Sequence, residues 1–372
     1  MTTDDSMSAL FAGQSGLQPP GGRTPFDSYI GPLPEEPAAL PAELEAYDCR
    51  QGRMAMHAAE AVADSIEEVV ARRGPERVAV LVGTSTGGLL GTEEAFPSFR
   101  DGAGPRGCVD VTRQHAFSAA AELLSERFGV RGPTFSISTA CSSSSKIIGS
   151  AHRLIEAGFV DAAVLVGADT LCQLTSRGFG GLNLLADSQC RPFDAARDGI
   201  NIGEASAAMV VEAGNEDARY GVWGIGELNG GYHMTRPHPE GRGAARSMLE
   251  AIEAAGLEPA DIAAVSAHGT ATVNNDTVES KAIVDVVGPN VPVFSTKGQT
   301  GHTLGACGAL EAVIALEALE RGQLPGTYGL REVDPDVQAR INRDVCDFDG
   351  DFILSNSLAF GDNNVSLVLG RL

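Results

Sequence analysis

Cys141 lies in the run SISTACSSSS, where a short stretch of β-forming residues gives way to four serines and a helical pattern. A cysteine at such a turn meets backbone N–H groups and the positive end of a helix dipole, which favour the thiolate. The same N–H groups can hold a developing oxyanion. Small serines let a substrate approach the backbone closely. Taken alone, such a cysteine is more often a buried structural residue.

Two of the seven histidines stand at comparable places in the other half of the chain. His268, in SAHGTATVNNDTVES, follows the apolar run IAAVS, and His302, in STKGQTGHTLGACG, opens a glycine-flanked turn into a helix. Either alone reads more readily as a satisfied core histidine. With Cys141 they make one thiol and two imidazoles, each just after a strand and beside Gly or Thr, with no metal-ligand spacing. That set suits thioester chemistry: the thiolate takes an acyl group, and the imidazoles bind a carbonyl oxygen as it becomes an enolate.

The elements that must position these groups follow from periodicity. Residues 1–50 are rich in Pro, Gly and acids and read as a lead-in loop region. MAMHAAEAVADSIEEVVARR, AFSAAAELLSERFG and CSSSSKIIGSAHRLIEAG carry apolar residues at helical spacing. RVAVLVGTST, TFSIST, AAVLVGAD and EASAAMVVEA read as strands, most of them buried. The second half repeats the programme, with helices in GAARSMLEAIEAAG, VESKAIVDVV and HTLGACGALEAVIALEALERG. Its strands are IAAVSAHG, VPVFSTKG, FILSNSLAFG and NNVSLVLGRL. TFSISTACSSSS aligns with VFSTKGQTGHTLGA, and AAVLVGADTL with FILSNSLAFG, so the chain reads as an internal duplication of α/β halves. The halves are 51–215 and 216–372, the first carrying a cap insert at 170–200.

The 372 residues suffice for a large core, and 43% hydrophobic with 20% charged is an ordinary globular composition. A net charge of −22 argues against nucleic acid and anionic membranes, which need clustered cations. No apolar run approaches the length of a membrane span, and MTTDDSMSAL lacks the layout of a signal peptide, so a cytoplasmic protein is expected. The seven cysteines, scattered and without a CxxC pair, oppose a disulfide framework or zinc ribbon; most are expected to be buried.

Five motifs carry a resemblance. They are STACSSS around Cys141, RPFDAARDGINIGEA at 191–205, HGTATVNNDTVE from His268, KGQTGHTLGA from Lys297, and NSLAFGDNN near the C-terminus. In this order and spacing the chain resembles the β-ketoacyl-(acyl carrier protein) synthases of the condensing-enzyme family. TACSSSSK and GADTLCQLTSRGFGGLNLL are similar to the aryl-polyene and type II polyketide subgroup. The resemblance implies a thiolase-like fold, two duplicated halves forming an αβαβα layered sandwich. It implies decarboxylative Claisen condensation of an acyl thioester with malonyl-acyl carrier protein, giving a 3-oxoacyl-carrier in fatty acid, polyene or polyketide biosynthesis. Two other readings are a non-catalytic, tunnel-shaping partner subunit and a carrier-dependent acyltransferase.

Residue by residue, the resemblance makes Cys141 the acyl-accepting nucleophile and His268 and His302 the groups that bind the malonyl carbonyl. It makes Lys297 the centre of a buried network with Asp276, Glu279 and Glu311. Thr270 and Thr272 would bond the pantetheine arm, and Phe360 would be the gate, its N–H joining that of Cys141 in the oxyanion hole. Phe179 would line the acyl tunnel. No metal or organic cofactor is implied, because the phosphopantetheine arrives on the carrier protein. The implied partners are acyl carrier protein, with Arg50 and Arg53 as docking candidates, and a second subunit in a homodimer or a heterodimer with a similar chain. Two departures stand out. The family's first strand, expected in the interior of the sheet, is missing ahead of SALFAGQSGL. Asp362 stands where the family has Gly-Gly, placing a charge in the gate loop and opposing a positive φ there.

Overall fold

The computed structural model describes residues 3–98, 100, 109–215 and 217–372. Val78–Gly83 and Ala162–Asp169 are buried at every residue, as uninterrupted runs of small and β-branched residues require. Alternation then divides their side chains between two cores. Ala79, Leu81, Ala163 and Leu165 enter the central core, while Val78, Val80, Val82, Val164 and Val166 enter an outer one.

The first sheet runs Thr134–Ile137, Val78–Gly83, Ala162–Asp169, Ala205–Glu212, with the last strand antiparallel. The second runs Arg340–Ile341, Pro292–Phe294, Ala264–Ser266, Phe352–Ala359, Asn363–Arg371, Tyr220–Asn229, parallel until the last two strands, each antiparallel to its neighbour. The shared order shows the duplication. Helices Ser143–Glu156 and Cys307–Arg321 fill the layer between the sheets through Ile147, Ile148, Ala312 and Ala315. Arg50–Glu60 and Ala119–Phe128 cover the first sheet outside, and Arg242–Ala254 and Val273–Val287 the second. This is the expected αβαβα sandwich.

Several expectations are corrected. The lead-in is not all loop: Thr3–Phe11 is a helix that buries Met7 and Leu10 in the central core. The pattern from Met54 to Arg73 forms two helices, Arg50–Glu60 and Ala63–Arg73. Sequence reading passes over Tyr220–Asn229 as a strand because Gly221, Gly224 and Gly226 dilute its β-forming residues. Those glycines are there for packing: a Cβ on Gly226 would lie 1.9 Å from the Ser247 carbonyl oxygen of the covering helix. Tyr220–Asn229 also shows where a first strand belongs. It lies at the edge of its sheet, beside Asn363–Arg371, so the matching position in the first sheet is the outer edge of Ala205–Glu212 and not the interior. Cys108 lies outside the described residues. No helix of the described residues is long and apolar enough to cross a membrane.

Candidate active site

Cys141 sits two residues before the helix Ser143–Glu156, whose N-cap is Ser142. The preceding Ala140 holds a left-handed φ of 52°, a sharp reversal that turns the cysteine out of the strand direction. The serines lock this turn. Ser143 Oγ accepts from the Thr139 N–H at 2.9 Å and donates to the Ala140 carbonyl at 2.6 Å. Ser144 Oγ accepts from the Ala309 N–H at 2.9 Å, and Ser145 and Ser357 hydroxyls meet at 2.7 Å. Together they bind the turn to both the partner helix and the second sheet. The Cys307 thiol donates to the Cys141 carbonyl at 3.1 Å.

The histidines arrive from the other half. The ligating atoms of Cys141, His268 and His302 all lie within 4.8 Å of one another, and all three residues are buried. His302 Nδ1 accepts from the Leu304 N–H at 3.0 Å, so its proton is assigned to Nε2, which is buried without a partner. His268 Nδ1 lies 3.4 Å from the Lys297 ammonium, which only donates, so His268 also carries its proton on Nε2. Burial, then the Lys297 charge, pushes the His302 imidazolium down to about 3, and the same causes hold His268 well below the ordinary range. Both rings are therefore neutral N–H donors at pH 7.

Lys297 bonds Glu311 directly, both being buried. Burial lowers the ammonium's pKa, but the Glu311 carboxylate and other neighbours more than offset this and raise it. The other two acids also hold backbone. Glu279 accepts from the His268 N–H at 2.7 Å and the Gly269 N–H at 2.8 Å, bracing the turn that carries the imidazole. Asp276 accepts from the Phe193 N–H at 2.7 Å and the Ala271 N–H at 3.2 Å, and the Arg197 Nε lies 3.8 Å from it. Of the three acids Lys297 bonds Glu311 directly; its charge also acts on Glu279, and Asn275 Nδ2 bridges Glu279 and Asp276, donating to each at 3.3 Å. Burial raises Asp276 to about 6 and Glu279 to about 7.

A cavity of about 380 Å³ opens onto Cys141, His268 and His302 and is lined by Thr270, Thr272, Phe179 and Phe360. The Thr270 and Thr272 hydroxyls bond each other at 2.9 Å. Phe179, half-buried on the helix Gln173–Gly181 of the cap insert, has its ring centre 5.6 Å from that of Phe360 and 6.5 Å from that of His302, tilted against both. Backbone N–H groups of Phe360 and of Cys141 itself act on the sulfur. They do not make it a resting thiolate: burial pushes the Cys141 thiol up to about 12, against the smaller pull of Lys297 and those N–H groups. The poised anion expected from the dipole is corrected to a buried thiol.

Asp362 does adopt a positive φ, 58°, which aspartate tolerates better than most residues. Its carboxylate accepts from Asn364 Nδ2 at 2.9 Å and the Tyr232 N–H at 3.3 Å. Arg50 pairs with Glu204 and Glu36, and Arg53 with Asp48. Both line a different cavity. Sequence reading missed Asp169, at the buried end of its strand. It accepts from Thr84 Oγ1 at 2.6 Å, the Thr86 N–H at 2.9 Å and the Gly305 N–H at 2.5 Å, tying the second half's turn to the first half. Its one signal was a carboxylate closing the run AAVLVGAD.

A thiol and two imidazole donors converging between duplicated α/β halves define a condensing enzyme of thiolase-like architecture. The Beta-ketoacyl synthase N-terminal domain matches residues 34–217 and the Beta-ketoacyl synthase C-terminal domain residues 221–331. The 3-oxoacyl-[acyl-carrier-protein] synthase 2 of Synechocystis is 32% identical over 82% of this chain and 77% of its own length. That of Rhizobium meliloti is 34% identical over 78% of this chain and 73% of its own. Among solved structures, a ketosynthase in complex with its chain length factor from Xenorhabdus doucetiae superposes with a TM-score of 0.92. It has 37% identity and covers 99% of this chain and 94% of that one. A beta-ketoacyl synthase from Burkholderia phymatum gives 0.89 at 30% identity, covering 99% and 95%. The chain belongs to the beta-ketoacyl synthase family and is an acyltransferase-class condensing enzyme.

Proposed function

We propose that the protein condenses an acyl thioester with malonyl-acyl carrier protein, releasing CO2 and a 3-oxoacyl-carrier in fatty acid or polyketide biosynthesis. The observation that carries this reading is the pair of neutral Nε2–H donors of His268 and His302, both facing the cavity that holds Cys141. One donor suffices for acyl transfer; two, aimed at one oxygen, suit an enolate.

In the first stage Cys141 sulfur attacks the acyl carbonyl, whose oxygen is held by the N–H groups of Cys141 and Phe360. The carrier thiol leaves with the cysteine proton. In the second, His268 and His302 donate to the malonyl thioester oxygen while the carboxylate departs as CO2. The resulting enolate carbon attacks the acyl carbonyl, the new C–C bond forms, and the C–S bond to Cys141 breaks. The sulfur recovers a proton from solvent. Decarboxylation supplies the carbanion, so no metal or organic cofactor enters the scheme. Lys297, paired with Glu311, holds His268 in the required tautomer, and Thr270 and Thr272 offer hydroxyls to the pantetheine amides.

A similar subunit, in a homodimer or heterodimer, is proposed on the surface that bears Phe96 and Leu174, which line one open cavity and are 63% and 62% exposed. The helix bearing Leu174 carries Phe179 inward, so this face borders the acyl-binding wall. The unpaired cysteines fit a reducing cytoplasm. Mixing the protein with acyl- and malonyl-carrier and following CO2 and 3-oxoacyl product by mass spectrometry tests the reading. Condensation is expected; an acylated Cys141 with no product favours a transferase, and no acylation favours a partner subunit.

A further inference from the structure

The cavity above Cys141 runs from buried to exposed. Cys141, His268 and His302 close its inner end, and Thr270 is buried beyond them. Thr272 is half-buried, and Val273, Asn274 and Arg236 are exposed at the rim. Three ionisable groups with a fixed charge line this cavity among the described residues: Asp198, Arg236 and Asp362. The Asp362 carboxylate is taken by Asn364 and the Tyr232 N–H, and Asp198 accepts from the Asp187 N–H at 3.3 Å. Arg236 is different. Its guanidinium touches His233 Nε2 at 3.3 Å, and no carboxylate of the described residues forms an ion pair with it.

Arg23, Arg113, Arg177, Arg191, Arg242, Arg331, Arg340 and Arg343 likewise form no ion pair with a described residue, so what sets Arg236 apart is its place: it is the one arginine among the described residues lining this cavity, which no lysine lines. The segment bearing Arg236 is also held in place. The Gly230 N–H donates to the Asp362 carbonyl at 2.9 Å, and the Gly361 N–H to the Met234 carbonyl at 2.8 Å. The Asp362 carboxylate occupies the space above Gly230, where a Cβ would lie 2.0 Å from its Oδ2. The Tyr232 and His238 rings meet at a tilt of 58° with centres 4.8 Å apart. An arginine on an anchored loop, left without an internal anion at a channel mouth, is a preorganised anion seat.

We infer that Arg236 holds the phosphodiester end of the phosphopantetheine arm, an inference that rests on the carrier-dependent reaction proposed above. The arm's chemistry maps onto the cavity in order. The thioester lies at Cys141 and the histidines, the amides at Thr270 and Thr272, and the phosphate at Arg236, in a cavity that Asn274 and Asn275 also line. The same seat takes the arm whether it brings the acyl or the malonyl group.

The test is a binding titration, read by ligand-observed NMR, of 4′-phosphopantetheine and of pantetheine against wild-type protein, Arg236→Ala and Arg236→Lys. No turnover is needed, so the outcome is separate from that of the condensation assay. A charge-assisted bond to phosphate is expected to make the phosphorylated arm bind roughly ten- to a hundredfold tighter to the wild type. That ratio should fall to about one in Arg236→Ala and recover in part in Arg236→Lys, which keeps the charge. Wild-type protein that binds both arms equally overturns the inference. So does an Arg236→Ala variant that keeps the ratio, or one that loses affinity for both arms alike, because each assigns Arg236 a structural role.

Discussion

At the scale of residues, the chemistry rests on which atoms are already occupied. His302 Nδ1 is filled by the Leu304 N–H and His268 Nδ1 by Lys297, which leaves two Nε2–H groups for substrate. The Leu304 N–H turns back onto the ring two residues earlier, and Leu304 itself continues the turn at a φ of 55°. Cys141, by contrast, is kept protonated by burial until substrate arrives. Its alkylation by iodoacetamide should therefore rise about tenfold per pH unit from pH 7 to 10, following the growing thiolate fraction of a thiol near 12. A rate that levels off by pH 8 would mean that Lys297 and the local N–H groups outweigh desolvation. The thiol and imidazoles were legible in the sequence because each ends a strand beside Gly or Thr. Their tautomers and the true partner of Asp276 were not, since these depend on contacts between segments tens of residues apart.

At the scale of elements, each motif works by reversing the chain sharply after a short strand. Ala140, Ala271 and Leu304 all hold positive φ in the turns that carry Cys141, His268 and His302. Strands such as AAVLVGAD were readable because their side chains are apolar on both faces. Tyr220–Asn229 was not, because its glycines serve the helix Arg242–Ala254 that lies on it. Gly226→Val puts a side chain where the Ser247 carbonyl oxygen lies 1.9 Å from the added Cβ, so the helix must move. A loss of about 1–3 kcal/mol is expected in urea denaturation. Unchanged stability would show that strand and helix are not in close contact. The break between Arg50–Glu60 and Ala63–Arg73 was hidden because both halves share one apolar periodicity.

At the scale of the molecule, duplication places the nucleophile in one half and the imidazoles in the other, so the site exists only when both sheets enclose the central helices. Asp169 fastens that junction by reaching Gly305 across it. The second subunit proposed above would cover the exposed Leu174 and Phe96. Leu174→Asp should shift the protein from dimer to monomer in light scattering while far-UV circular dichroism is retained. A dimer that survives this change would place the interface elsewhere. The sequence could suggest a partner but not this face, because Leu174 lies on the same short helix as the inward-facing Phe179. The central claim, that Cys141 carries the acyl group which an enolate then attacks, is tested most directly by a chase. The protein is acylated, freed of donor and mixed with malonyl-carrier, and the intact mass is followed. The account predicts loss of the acyl mass from Cys141 together with CO2 and a 3-oxoacyl-carrier longer by two carbons. Loss of the acyl group only as free acid, or an adduct on another residue, would contradict it.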